Sequence, residues 1–212
     1  MKVEVWSDVI CPWCYIGKRR LETALSRFAH AADVEVRWRS FELDPRAPRR
    51  REGDLASRIA RKYGLSYEQA VAVNANLAAV AANEGLAFSF DRAQPGNTFD
   101  AHRLIHLGAA RGVQDAVKER LLRAYFVDGE AIGDPETLGR VAAEAGLDAV
   151  EAKTVLAGDD YAAEVRADEE EAMTLGISAV PFFLVGRKFP VTGAQDPDVL
   201  LGVLERAWAA GS

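Results

Sequence analysis

The chain has 212 residues, 49% of them hydrophobic and 27% charged, and a formal net charge of −6. That length can bury one large core or two modest ones, and the acidic balance argues against general affinity for nucleic acid or an anionic membrane. No apolar run approaches the ~18 residues of a spanning helix, and Met1–Trp6 shows neither an apolar leader nor a small-residue cleavage site, so the expected compartment is the cytoplasm.

Lys2-Val3-Glu4-Val5-Trp6 alternates polar and apolar residues with the period of a strand. Ile16, Leu21, Leu25 and Phe28 then recur near helical spacing to about Ala29. At the junction stands Cys11-Pro12-Trp13-Cys14. A helix amino terminus carries unpaired N–H groups and the positive end of the peptide dipoles, which predicts a stabilised thiolate and a lowered pKa at Cys11. Cys14, three residues on, shares that face, so the two sulfurs can close a small ring and reopen it. Pro12 occupies the first turn, where a helix tolerates proline best. These are the only two cysteines of the chain. A disulfide framework is thereby excluded, and a working pair is favoured over a structural one.

A second strand is expected at Val34–Phe41, completing a βαβ unit. Pro45 to Arg51 reads as a loop with a basic cluster, Arg46, Arg49, Arg50 and Arg51. A solvated loop is its first reading and an anion contact its second. From about Gly53 to Gly176 the pattern is helical. Helices are expected over Leu55–Tyr63, from a capping box at Ser66–Gln69 to Asn83, over 97–110, 114–127 and 134–145, after a second capping box at Asp148–Glu151, and over 161–175. Leu86–Phe90 alternates and is expected as a brief extended piece. Pro181–Val185 and Lys188–Val191 then form a hairpin about Gly186-Arg187, and a closing helix runs from about Pro197 to Ala209.

The order βαβ, helical block, ββα gives an α/β fold class: a thioredoxin-like fold with a large all-helical insertion between its halves. Residues 1–44 and 177–212 form the discontinuous thioredoxin-like domain, and 45–176 the inserted helical domain. The chain resembles the DsbA family of thiol–disulfide oxidoreductases, and within it the cytosolic FrnE-like branch. The resemblance rests on Ser7–Lys18, Phe41–Pro45, Asn97–Leu104 and Val180–Phe183, and spans nearly the whole sequence.

In disulfide exchange an exposed thiolate attacks and a second thiol resolves, which casts Cys11 as attacker and Cys14 as resolver. Pro12 and Trp13 tune the pair and face the substrate. The resemblance implies that Val180–Pro181 is cis, lies beside the cysteines and offers the Val180 backbone to an extended substrate. It also suggests that Asn97, Thr98 and His102 line the active-site cleft, although packing within the helical block is the plainer reading of His102. Trp6 and Trp38 lie in strands and read as core; His30 reads as a cation at the first helix's end.

Cys11, Cys14, His102 and His106 could in number make a four-ligand zinc site. The interval from Cys14 to His102 far exceeds the ~12–15 residues of a zinc finger, and a chain of this size needs no metal staple, so no metal or other cofactor is expected. Related architectures include the kappa-class glutathione transferases and 2-hydroxychromene-2-carboxylate isomerases, which carry serine at the position of Cys11. Both cysteines are kept here, which favours electron exchange over isomerisation. The expected partner is a thiol or disulfide, on a protein or a small molecule such as a glutathione-like thiol. A small-molecule oxidoreductase or isomerase acting on a polyketide or glutathione conjugate, and a non-catalytic chaperone, are the alternatives. Oligomeric state is not legible.

Overall fold

The structure is a computed structural model that describes residues 1–211. In chain order, β1 (Lys2–Ser7), α1 (Pro12–Arg27) and β2 (Glu35–Ser40) come first. They are followed by α2 (Leu55–Tyr63), α3 (Tyr67–Asn83), α4 (Phe99–Ala110), α5 (Gln114–Arg123), α6 (Pro135–Glu144), α7 (Ala149–Ala157) and α8 (Ala162–Thr174). β3 (Phe182–Val185), β4 (Phe189–Thr192) and α9 (Pro197–Ala209) close the chain. Two compact units result: Met1–Leu43 with the segment from Ala162 onward, and Asp44–Tyr161.

The first unit is built on a four-stranded sheet in the order β2-β1-β3-β4. β1 pairs parallel to β2, setting Val5 opposite Trp38, and antiparallel to β3, setting Val5 opposite Phe183. β1 is thus central in the sheet, and Val3, Val5 and Trp6, which point to its two faces, are fully buried. β3 and β4 form the expected hairpin. Gly186 and Arg187 both take positive φ, 56° and 57°, as a two-residue turn matching strand twist requires.

Burial of Glu4 inside this sheet demands compensation. Its carboxylate accepts from Arg39 and from Arg187 Nη1 at 2.7 Å. Arg39 also donates to Asp168 of α8 at 2.6 Å, and the other Asp168 oxygen accepts from the Ser40 N–H at 2.8 Å. The Trp6 indole donates to the Asp168 carbonyl at 3.0 Å. These bonds bind α8 to β1 and β2. α8 therefore belongs with the sheet, and the boundary expected near residue 176 falls instead at Tyr161–Ala162. At the end of α1, Phe28 meets Trp208 edge-on and His30 stacks on it at 4.2 Å. His30 lies past the helix end at Arg27 and packs there as a ring partner of Trp208.

The second unit is helical. Asp54, Ser66, Asp134 and Asp148 each accept from a first-turn N–H of the helix they cap, and Ser66–Gln69 is a reciprocal capping box. α4 is buried from Ala101 to Gly108. Its Arg103 is satisfied by the carbonyls of Asp160 (2.8 Å), Gly158 (2.6 Å) and Val155 and by Asp100 (2.9 Å), which fastens the exit of α7 to α4. The helix expected to run to residue 127 stops at Arg123 and ends in one π-helical turn, Ala124–Asp128. Leu86–Phe90 is not a strand. Phe88 and Phe90 pack on Phe126, and the Ser89 N–H donates to the Phe126 carbonyl at 2.7 Å, so aromatic packing overrides the local alternation.

Candidate active site

Cys11 is the N-cap of α1, extended at φ −89°, ψ 113°, and Pro12 opens the helix. Cys14 falls one turn in, and its N–H donates to the Cys11 carbonyl at 3.0 Å. The cysteines are 3.4 Å apart and in the dithiol form. Cys11 is 5% exposed and Cys14 not at all, while Trp13 between them is 43% exposed. Both cysteines are buried, and Cys11 is the more accessible residue of the two.

The Val180–Pro181 bond is cis, and the Cys11 thiol donates to the Val180 carbonyl at 3.5 Å. The Pro181 carbonyl accepts from the Gly193 N–H at 2.8 Å, tying the start of β3 to the end of β4. Gly17 on α1 makes room for this corner. A Cβ there would stand 2.9 Å from Pro181 Cγ and 3.3 Å from the Phe183 ring, closer than packed carbons normally sit. Cys11, Pro12, Trp13, Val180 and Pro181 therefore gather at one end of the sheet.

In the reduced pair the shift at Cys11 runs upward and is tied to Cys14. The hydrogen bond with Cys14 and then burial push the Cys11 thiol well above its ordinary range, with the charges of Cys14 and Asp8 adding and the Cys14 N–H opposing. Enclosure and a second sulfur both disfavour a second charge within the pair. Asp8 escaped the sequence reading. It is fully buried, its side chain accepts from the Leu43 N–H at 2.7 Å, and its carbonyl accepts from the Cys11 N–H at 3.3 Å. An acid three residues ahead of a buried cysteine was the available signal. Glu42, also buried, accepts from Arg166 of α8 at 2.8 Å.

Asn97, Thr98 and His102 lie together in the second unit, at the start of α4. Asn97 uses its side-chain oxygen on the Phe99 N–H (2.9 Å) and its amide on the Pro45 carbonyl (3.4 Å). Thr98 is 2% and His102 1% exposed. Among the described residues no three His, Cys, Asp or Glu side chains converge as a metal site would need, and no helix is long and apolar enough to cross a membrane.

A reduced C-x-x-C pair capping a helix, against a cis-proline loop on a β2-β1-β3-β4 sheet, defines a thioredoxin-like dithiol protein. The chain belongs to the family of DSBA-like thioredoxin domains, whose model matches residues 2–205, and its class is that of the disulfide oxidoreductases and isomerases. A solved structure of a probable DsbA oxidoreductase from Streptomyces coelicolor is 47% identical, with a TM-score of 0.94 over 99% of this chain and 90% of that one. The uncharacterised protein YwbO of Bacillus subtilis is 28% identical over 93% of this chain and 92% of its own. The cytosolic disulfide reductase DsbM of Pseudomonas aeruginosa shares the fold at 18% identity, with a TM-score of 0.66 over 99% of this chain and all of that one.

Proposed function

We propose that this chain exchanges disulfides with a protein or low-molecular-weight thiol through Cys11, with Cys14 as the resolving thiol. The observation that carries the reading is the 3.4 Å approach of the two cysteines, with the more exposed one beside Val180. In the reducing direction the Cys11 thiolate attacks a substrate disulfide, forming a mixed disulfide and releasing one substrate thiolate, which takes a proton. The Cys14 thiolate then attacks the Cys11 sulfur, closing the Cys11–Cys14 disulfide and releasing the second substrate thiolate. Two electrons pass to the substrate, and the reverse sequence oxidises a dithiol.

An extended substrate segment would lie against the Val180 backbone and the exposed face of Trp13, because the Pro181 carbonyl is already engaged by Gly193. Glutathione is the first small thiol to try, since the Pseudomonas aeruginosa reductase has a solved structure with GSH. Asn97, Thr98 and His102 are left out of the substrate contacts, two being enclosed and the third committed within its own unit. The cytoplasm is the compartment this reading takes, supported by cysteine use limited to the working pair.

The test is trapping. Cys14→Ser should accumulate a mixed disulfide through Cys11, Cys11→Ser should not, and both should lose turnover with a disulfide substrate. Turnover surviving in Cys11→Ser would overturn the assignment, and aggregation suppression that survives loss of both thiols would favour a chaperone.

A further inference from the structure

The loop after β2 is basic in an acidic chain: residues 44–62 hold seven Arg or Lys against three Asp or Glu, while the whole carries −6. It is also a built loop. The Pro48 carbonyl accepts from the Asn97 N–H at 3.0 Å, and Pro45 is held by the Asn97 side chain. Gly96 and Gly133 both let the Arg49 carbonyl come so close that a Cβ at either position would collide with it. The opposite wall is fixed by a parallel bridge between Gln94 and Ala131 and by the Gln94 amide donating to the Gly129 carbonyl at 2.8 Å.

Between these walls lies a cavity of about 90 Å³ lined by Arg49, Arg50, Arg51, Gln94, Pro95 and Ala131. That volume suits one tetrahedral oxyanion and is far below the ~300–1,000 Å³ of a drug-sized site. Three carboxylates face the cluster and offset part of its charge. Asp44 pairs with Arg51, Asp100 with Arg49 at 3.4 Å, and Asp134 feels Arg50. Among the described residues, however, Arg51 Nε and Arg58 Nη1 are buried nitrogens without a hydrogen-bond partner. The Arg58 guanidinium is pushed down by burial and then by the like charge of Arg51. Arg51, whose Nε is one of these donors, lines the cavity, and a buried donor without an acceptor gains from an oxyanion there.

We infer that this cavity, wholly within the second unit, binds a phosphate group, either inorganic or the terminal phosphoryl of a small molecule. Several guanidinium forks suit the three equivalent oxygens and double charge of phosphate better than the single charge of a carboxylate. The site is independent of the dithiol chemistry.

The test titrates the reduced protein with inorganic phosphate, pyrophosphate and acetate at matched ionic strength, by calorimetry and by melting temperature. Saturable binding of one phosphate or pyrophosphate per chain is expected. It should be weakened about tenfold or more by Arg50→Ala, an exposed position, and left unchanged by the surface change Arg27→Ala. Phenylglyoxal labelling of Arg50 and Arg51 should be slowed by the bound anion, a readout needing no variant. Cys11→Ser should bind as the wild type does. Tighter binding of pyrophosphate than of phosphate would point to a phosphorylated small molecule, and the reverse to free phosphate. A non-saturable response, equal binding of acetate, or indifference to Arg50→Ala would overturn the site.

Discussion

The thiols of two cysteines 3.4 Å apart cannot both carry charge cheaply, whichever ionises first. The upward shift at Cys11, caused first by the Cys14 hydrogen bond and then by burial, places the second ionisation of the pair far above the ordinary thiol value of about 8.5. Thiolate absorbance at 240 nm should therefore reach no more than one equivalent per reduced chain below about pH 9, and two equivalents there would contradict the enclosed pair. Gly17 poses a second test at this scale. In a helix, glycine to alanine normally stabilises by about 0.5–1 kcal/mol. Here the new Cβ would press on Pro181 and Phe183, which belong to packed structure and cannot swing away. Overpacking of that kind costs about 1–3 kcal/mol, so Gly17→Ala should lower the urea-unfolding free energy by about 1 kcal/mol. It should also slow disulfide exchange, because the same contact sets the distance from α1 to the proline loop. A stabilised variant would show that the corner yields.

Among the elements, α8 has a sequence that says little about where it packs: Ala162–Thr174 is acidic along most of its length. Asp168 decides the matter by serving Arg39 and the Ser40 N–H at once, in a setting where Asp168 is 2% exposed. Asp168→Asn keeps the shape but leaves Arg39 short of a counter-charge and turns an amide donor toward either Arg39 or the Ser40 N–H. Breaking one side of a buried pair costs about 3 kcal/mol or more, so chemical denaturation should show a loss of that order. Asp159→Asn, at an exposed position just before the helix, should change stability by less than about 0.5 kcal/mol. Equal effects of the two would mean that α8 is held by its apolar residues alone.

For the whole molecule, acid is the condition that reaches the sheet centre. Burial alone would raise the Glu4 pKa, but the hydrogen bond and charge of Arg39, with Arg187 and Lys2, reverse this and hold it below the ordinary carboxylate value of 4.5. A group with a lowered folded pKa adds stability that is complete above its unfolded pKa and disappears as pH falls through the folded one. Stability should thus fall below about pH 4.5, and Glu4→Gln should be less stable at neutral pH yet lose less between about pH 5 and pH 3. Urea melts at three pH values would show this, and parallel slopes for the two proteins would remove Glu4 from the account.

Much of the fold was legible because it is written locally. The alternation of Lys2–Trp6, the helix opening at Pro12, the capping box at Ser66 and the Gly186-Arg187 turn each depend on residues within a few positions of one another. The dithiol was legible for the same reason, since a C-x-x-C spacing at a helix start fixes two sulfurs by helical geometry alone. What needed the tertiary structure depends on groups far apart in the chain. Arg39 meets Asp168 and Gly17 meets Pro181 only once the sheet is assembled. The transfer of α8 to the sheet unit, the loss of the extended piece at Leu86–Phe90 to packing on Phe126, and the walls around Arg49–Arg51 follow from such pairings. Cys11 shows the division most plainly: its place at a helix terminus is local, whereas enclosure and the neighbouring sulfur, which push its thiol up, are properties of the folded site.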